Sequence, residues 1–121
     1  MKIILLMLSL LVTSNAQDGI RVLFIRGKAW NEMEETSRLY YLAGFFDSLA
    51  FNKMIFDGYK ISSKPSFDEY DLGVTELYKD FRNSRIEAPY ALIIVSMQMT
   101  GESAETVERT LEEFRKRSTK P

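Results

Sequence analysis

A carboxylate set among aromatics is the first place in this chain to look for chemistry. Asp47 follows Phe45-Phe46 on the most apolar stretch of the sequence. A carboxylate buried there needs a cationic or hydrogen-bonding partner, or else a raised pKa. Arg82 and Arg85, in the turn after the third helical segment, are the partners in prospect. Asp47 is then either half of an ion pair that fixes how that turn docks, or an acid or base in a cleft. The structural role is favoured, because no second carboxylate is placed for paired acid–base work.

The densest polar and aromatic stretch runs from Leu77 to Ile86. Within it Tyr78 and Phe81 continue a core stripe. Asp80, Arg82, Asn83 and Arg85 either satisfy exposed helix-end groups or form a protein-binding corner rich in Arg and Tyr. Trp30, the only tryptophan, either locks an N-terminal turn onto the core or serves as an interface anchor. The candidate partner-binding set is therefore Trp30, Tyr78, Asp80, Arg82, Asn83 and Arg85.

Other chemistries lack their residues. The chain has no cysteine and no histidine, which removes thiol nucleophiles, the usual general base and most zinc and copper ligands. No serine has a histidine to activate it, and the glycines are scattered singly, so no phosphate-cradling loop exists. Met97 and Met99 read as gap-fillers and not as a copper site. No metal and no cofactor is expected. Sixteen basic side chains stand against 17 acidic, and a nucleic-acid binder would show a basic surplus or stripe. Arg115 to Arg117 sit at the end of a predicted helix, where cations favour the helix dipole.

The elements that must position these groups read as helices. Lys2, the apolar run Ile3 to Val12, and small residues at Ser14 and Ala16 form a secretory signal with a cut before Gln17; the apolar run is too short to span a bilayer, which needs roughly 20 residues. Gln17 to Pro121 is then one small domain that packs without disulfides. Ile20 to Ile25 is a strand or an extended lead-in. Trp30 and Met33 belong to one or two helical turns. A helix over Ser37 to Phe56, which Thr36 or Ser37 can cap, is apolar nearly all round and is the one the others enclose, with Gly44 leaving a groove for a crossing helix. Phe56 to Pro65 is the main loop. Ser66 and Glu69 make a capping box for a helix carrying Phe67, Tyr70, Val74, Leu77, Tyr78 and Phe81, which ends near Asn83 as a left-handed cap. The segment Tyr90 to Thr100 suits a buried strand by composition, but Pro89 before it and Gly101 after it favour a helix. Ser103 caps the last helix, with Ala104, Val107, Leu111 and Phe114 inward and the pairs Glu105–Arg109 and Glu112–Lys116 outward.

Trp30-x-x-Met33 followed by Tyr41-Leu42-Ala43-Gly44-Phe45-Phe46-Asp47-Ser48-Leu49 resembles the opening of small exported bacterial helical proteins. These include the Tai-type immunity proteins, which protect the periplasm against amidase effectors of type VI secretion. Tyr78-x-Asp80-x-Arg82-Asn83-x-x-Ile86, with Gly101-x-Ser103 and a terminal amphipathic helix, is similar to other exported proteins of this size. The resemblance implies a helical fold and an immunity function; the chain departs from those proteins in having no cysteine.

The expectation is an all-α bundle of four main helices with a short N-terminal element. It is expected to be exported, periplasmic if its cell is Gram-negative and secreted otherwise, with no transmembrane segment after cleavage. Its expected work is non-enzymatic binding of another protein, as an inhibitor or immunity-type factor, with a homodimer as a further arrangement and no nucleic-acid partner. The alternatives are a small cell-envelope enzyme using Asp47, or a carrier of an apolar small molecule.

Overall fold

The computed structural model describes residues 24–119. The signal sequence at 1–16, its cleavage site and most of the 20–25 lead-in lie outside the described residues. Among the described residues five helices follow in order: α1 Gly27–Glu32, α2 Glu35–Ala50, α3 Phe67–Tyr78, α4 Ala88–Met99 and α5 Ala104–Ser118. A two-stranded antiparallel hairpin, β1 Ile55–Phe56 and β2 Tyr59–Lys60, joins α2 to α3. A single 3₁₀ turn, Phe81–Asn83, joins α3 to α4. The architecture is all-α with four long helices, as expected. Among the described residues, no helix is long and apolar enough to cross a membrane.

The enclosed helix is α4, not α2. Eight of the residues from Ala88 to Ser96 are buried, and α4 packs against α3 on one side and α5 on the other. Pro89 stands in its first turn, where its missing N–H has no helical partner to lose. Gly101 then carries the chain out at φ +84°. One polar group is taken inside: the Ser96 hydroxyl oxygen accepts the Ser62 amide at 2.8 Å, and the Tyr70 hydroxyl donates to the Ser62 carbonyl at 2.5 Å.

α2 is shorter than its apolar run predicts, and half of it faces out. Leu42, Phe46 and Leu49 are its buried stripe; Tyr40, Gly44, Asp47, Ser48 and Ala50 are exposed. The helix stops at Ala50 because Lys53 and Met54 both take left-handed backbone (φ 55° and 62°), a conformation that L residues adopt at a cost. What reads as its last turn and the start of a loop is the hairpin. Asp57 and Gly58, at φ 50° and 81°, form the two-residue turn, and Asp-Gly is a favoured pair where both central residues need positive φ.

Among the described glycines, two are required by close packing, and Gly44 is not one of them. A Cβ on Gly73 would stand 2.5 Å from a Val95 methyl, and one on Gly27 would stand 2.9 Å from the Tyr78 ring. So α3 meets α4 at Gly73, and α1 meets the α3 end at Gly27. At Gly44 nothing among the described residues comes within 4 Å of such a Cβ. No helix of the described fold crosses there, although glycine at mid-helix costs about 1 kcal/mol relative to alanine.

Two of the four expected caps are present; Thr36 and Ser37 both lie inside α2, whose N-cap is Glu34 without a side-chain bond. Ser66 and Glu69 exchange the two bonds of a capping box at the start of α3, and the Ser103 hydroxyl accepts from the Thr106 amide at the start of α5. Asn83 instead sits inside the 3₁₀ turn, and its side chain closes the end of α3. On α5, Val107, Leu111 and Phe114 are buried and Ala104 is exposed. Neither Glu105–Arg109 nor Glu112–Lys116 closes into an ion pair; Arg115 reaches Glu108 at 3.3 Å and Arg117 reaches Asp57 at 3.8 Å.

Candidate functional site

The α3–α4 corner is built from the inside outward. Asn83 is 2 % exposed. Its amide nitrogen donates to the Leu77 carbonyl at 2.8 Å, satisfying a carbonyl that the end of α3 leaves open. Its amide oxygen accepts from Arg115 Nε at 2.7 Å. One buried side chain thereby joins the end of α3 to α5. Tyr78, buried beside it, donates its hydroxyl to the Ile86 carbonyl at 2.7 Å, and burial pushes its pKa upward. Trp30 is wholly buried; its indole N–H donates to Thr75 at 3.1 Å, and its ring lies 6.4 Å from that of Tyr78. The Gly27 amide completes the frame by donating to the Ser84 carbonyl at 3.0 Å.

Outside this frame lies the charged layer. Asp80 caps the 3₁₀ turn by accepting the Arg82 amide at 3.0 Å, and the Arg82 guanidinium folds back onto the same carboxylate at 2.6 Å. That side-chain pairing, helped by the backbone bond and by Arg115, holds the Asp80 carboxyl down at about 2. Arg115 is largely enclosed, 3.8 Å from Asp80 and 3.3 Å from Glu108. A depression of about 330 Å³ beside it is lined by charged and amide side chains including Glu76, Asp80, Gln98 and Arg115.

Phe81 is the feature that the stripe on α3 does not predict. It is 83 % exposed at the apex of the turn, flanked by Arg82 and close in sequence to exposed Arg85. Helical spacing from Tyr78 would bury it, but the helix ends first. Asp80 is extended (φ −82°, ψ 114°) and starts a new turn, so Phe81 is rotated off the stripe. A capping aspartate two residues before Arg82 is the signal for this in the sequence.

The predicted partner-binding set thus divides in two. Trp30, Tyr78 and Asn83 are buried and hold the corner together, so Trp30 is not an exposed anchor. Asp80, Arg82 and Arg85 lie on the surface, and Phe81 joins them. Arg115, expected as a helix-end cation, faces inward as the strut of the turn.

Asp47 does not take the place expected of it. It is exposed on α2, and it makes no ion pair or side-chain hydrogen bond with Arg82, Arg85 or any other described residue. Among the described residues the buried carboxylate is Asp71, 5 % exposed on α3. It accepts from Arg38 Nε at 2.5 Å and from Nη2 at 3.3 Å. Arg38 also donates to the Met33 carbonyl at 2.7 Å and lies over the Trp30 ring at 6.0 Å. The hydrogen bond to Asp71 raises the Arg38 pKa. This cluster pins the α1–α2 link to α3.

No family model, curated protein or solved structure matches the chain. The chemistry of the corner therefore rests on its own geometry: an aromatic side chain presented on a braced turn, with guanidinium groups beside it.

Proposed function

We propose that this protein is an exported binding module that engages another protein through the corner at Phe81, Arg82 and Arg85, acting as an inhibitor or immunity-type factor and performing no chemistry of its own. The observation that carries the reading is Phe81. A phenylalanine left 83 % exposed on a turn braced by buried Asn83 and half-buried Arg115 loses little conformational freedom when a partner covers it. Low ordering cost is what makes an aromatic anchor effective. Aromatic and Arg side chains are the residues most often found at energetic centres of interfaces. The matching partner surface is an apolar pocket with acidic groups at its rim, since Arg85 has no ion-pair partner among the described residues.

Pull-down with the tagged chain from the exported fraction of its own cells, read by mass spectrometry, tests this directly. A stoichiometric partner is expected with the native sequence, and at least a tenfold loss of affinity with Phe81→Ala and with Arg85→Ala. Both positions are exposed, so melting temperatures should stay within a few degrees of the native value. A partner retained at full affinity by both variants would exclude the corner as the contact.

A further inference from the structure

The start of α4 and the end of α5 form a cavity that shares no residue with the corner. Its volume is about 220 Å³, and its lining is Glu87, Tyr90, Phe114, Arg117 and Ser118. Two opposite charges face this one space without forming an ion pair with each other. Each has a different partner, and each is held loosely. Arg117 stands 3.8 Å from Asp57, and Glu87 stands 3.8 Å from Arg26, beyond the roughly 3.2 Å at which N–H···O bonds form. Neither charged group hydrogen-bonds to a described residue. We propose that this cavity binds a small free α-amino acid, with its carboxylate on Arg117 and its ammonium on Glu87.

The cationic side is already positioned. The Arg117 guanidinium lies over the Tyr90 ring at 5.0 Å and over the Phe114 ring at 5.1 Å. Stacking on two rings restrains the group while its N–H donors stay open, and a planar fork held in that way suits a carboxylate. The other polar atoms of the lining are acceptors. The Ser118 hydroxyl donates to the Phe114 carbonyl at 2.5 Å, and the Tyr90 hydroxyl donates to Asp57 at 2.9 Å. With those hydrogens committed, both oxygens are left to accept, as Glu87 does, and three acceptors suit an ammonium. The balance of charge then selects the ligand. A simple acid would cover Arg117 and leave Glu87 dehydrated without a partner; a simple amine would do the same to Arg117. A zwitterion satisfies both. The Tyr90 and Phe114 rings supply the rest of the wall, so the ligand's own side chain is apolar. It is also short, because the cavity falls below the roughly 300–1,000 Å³ of a drug-sized site. With few atoms in contact, the dissociation constant is on the order of 10⁻³ M. The site stands whether or not the corner binds a protein.

Titration of valine into the ¹⁵N-labelled full chain, purified as its cells process it, is the test, up to about 50 mM. The amide signals of Glu87, Tyr90, Arg117 and Ser118 should shift and saturate together. Isovalerate, which lacks the ammonium, and valinamide, which lacks the carboxylate, should each bind at least about tenfold more weakly than valine. Glu87→Gln and Arg117→Gln should each cost a similar factor. The Glu87 side chain makes no capping bond to α4, and both positions lie at the surface of the core, so the circular dichroism spectrum should not change. Arg117→Lys keeps the charge and should bind valine more tightly than Arg117→Gln does, which a merely structural tie between α5 and the hairpin would not require. No saturable shift with valine, equal binding of isovalerate or valinamide, or an affinity unmoved by Glu87→Gln or Arg117→Gln would each overturn the proposal.

Discussion

α2 and α4 are both rich in apolar residues, yet α4 is enclosed by its neighbours and α2 buries a single stripe. The difference lies in the polar positions and not in the apolar ones. From Ala88 to Ser96 no residue is charged. Both hydroxyls of that stretch find protein partners, Ser96 at the Ser62 amide and Tyr90 at the Asp57 carboxylate. α2 is punctuated by Glu35, Arg38 and Asp47. Arg38 finds Asp71 and turns inward, while Asp47 finds no partner among the described residues and marks a face that they leave open. A helix is enclosed when each of its polar groups has a partner inside; counting its aromatics does not decide the matter.

The contrast can be broken most forcefully at its centre. Leu92→Ala should destabilise the protein by about 3 kcal/mol or more, since Leu92 is wholly buried and its loss leaves a cavity among packed neighbours. Tyr40→Ala on α2 should cost less than about 0.5 kcal/mol. Urea unfolding of both variants at low micromolar concentration measures the difference, and equal losses would mean that the two helices share the core evenly. The glycines sharpen the contrast, because the same substitution should change sign between them. Gly73→Ala forces a methyl against Val95 and should cost about 1–3 kcal/mol, whereas Gly44→Ala should gain up to about 1 kcal/mol. A loss at Gly44 would reveal a contact on the face that reads as open. The smallest effect belongs to Asp47→Asn, within about 0.5 kcal/mol of the native protein under the same dilute conditions. A loss above about 2 kcal/mol would restore to Asp47 the structural role that its sequence neighbours suggest.

What is legible in the sequence is what depends on neighbours a few residues away. The capping box at Ser66, the cap at Ser103, the Pro89–Gly101 frame of α4 and most of the stripe on α5 are all local, and all are present. Sequence and structure part where distant contacts choose between faces. Nothing near Asp47 says that Arg38 will pair with Asp71, 33 positions along the chain, and nothing near Arg115 says that it will reach inward to Asn83. The hairpin is legible in Asp57-Gly58 but short enough to pass for loop. Periodicity assigns Phe81 to the core, because the spacing of three and four continues past the point where Asp80 ends the helix. Composition thus locates the corner, while the rule that finds its helix misplaces the residue that gives it a knob.

The enclosure of Trp30 has a practical side. Its indole is sealed between the Tyr41 and Tyr78 rings, with Arg38 beyond and Thr75 at its nitrogen. As the sole such fluorophore in the chain, it makes the protein its own reporter. Its emission should sit to the blue while α1 rests against α3, and should move to the red as soon as that small helix lifts. Opening of the N-terminal end can therefore be timed separately from global melting, in unlabelled material, by comparing emission with far-ultraviolet circular dichroism.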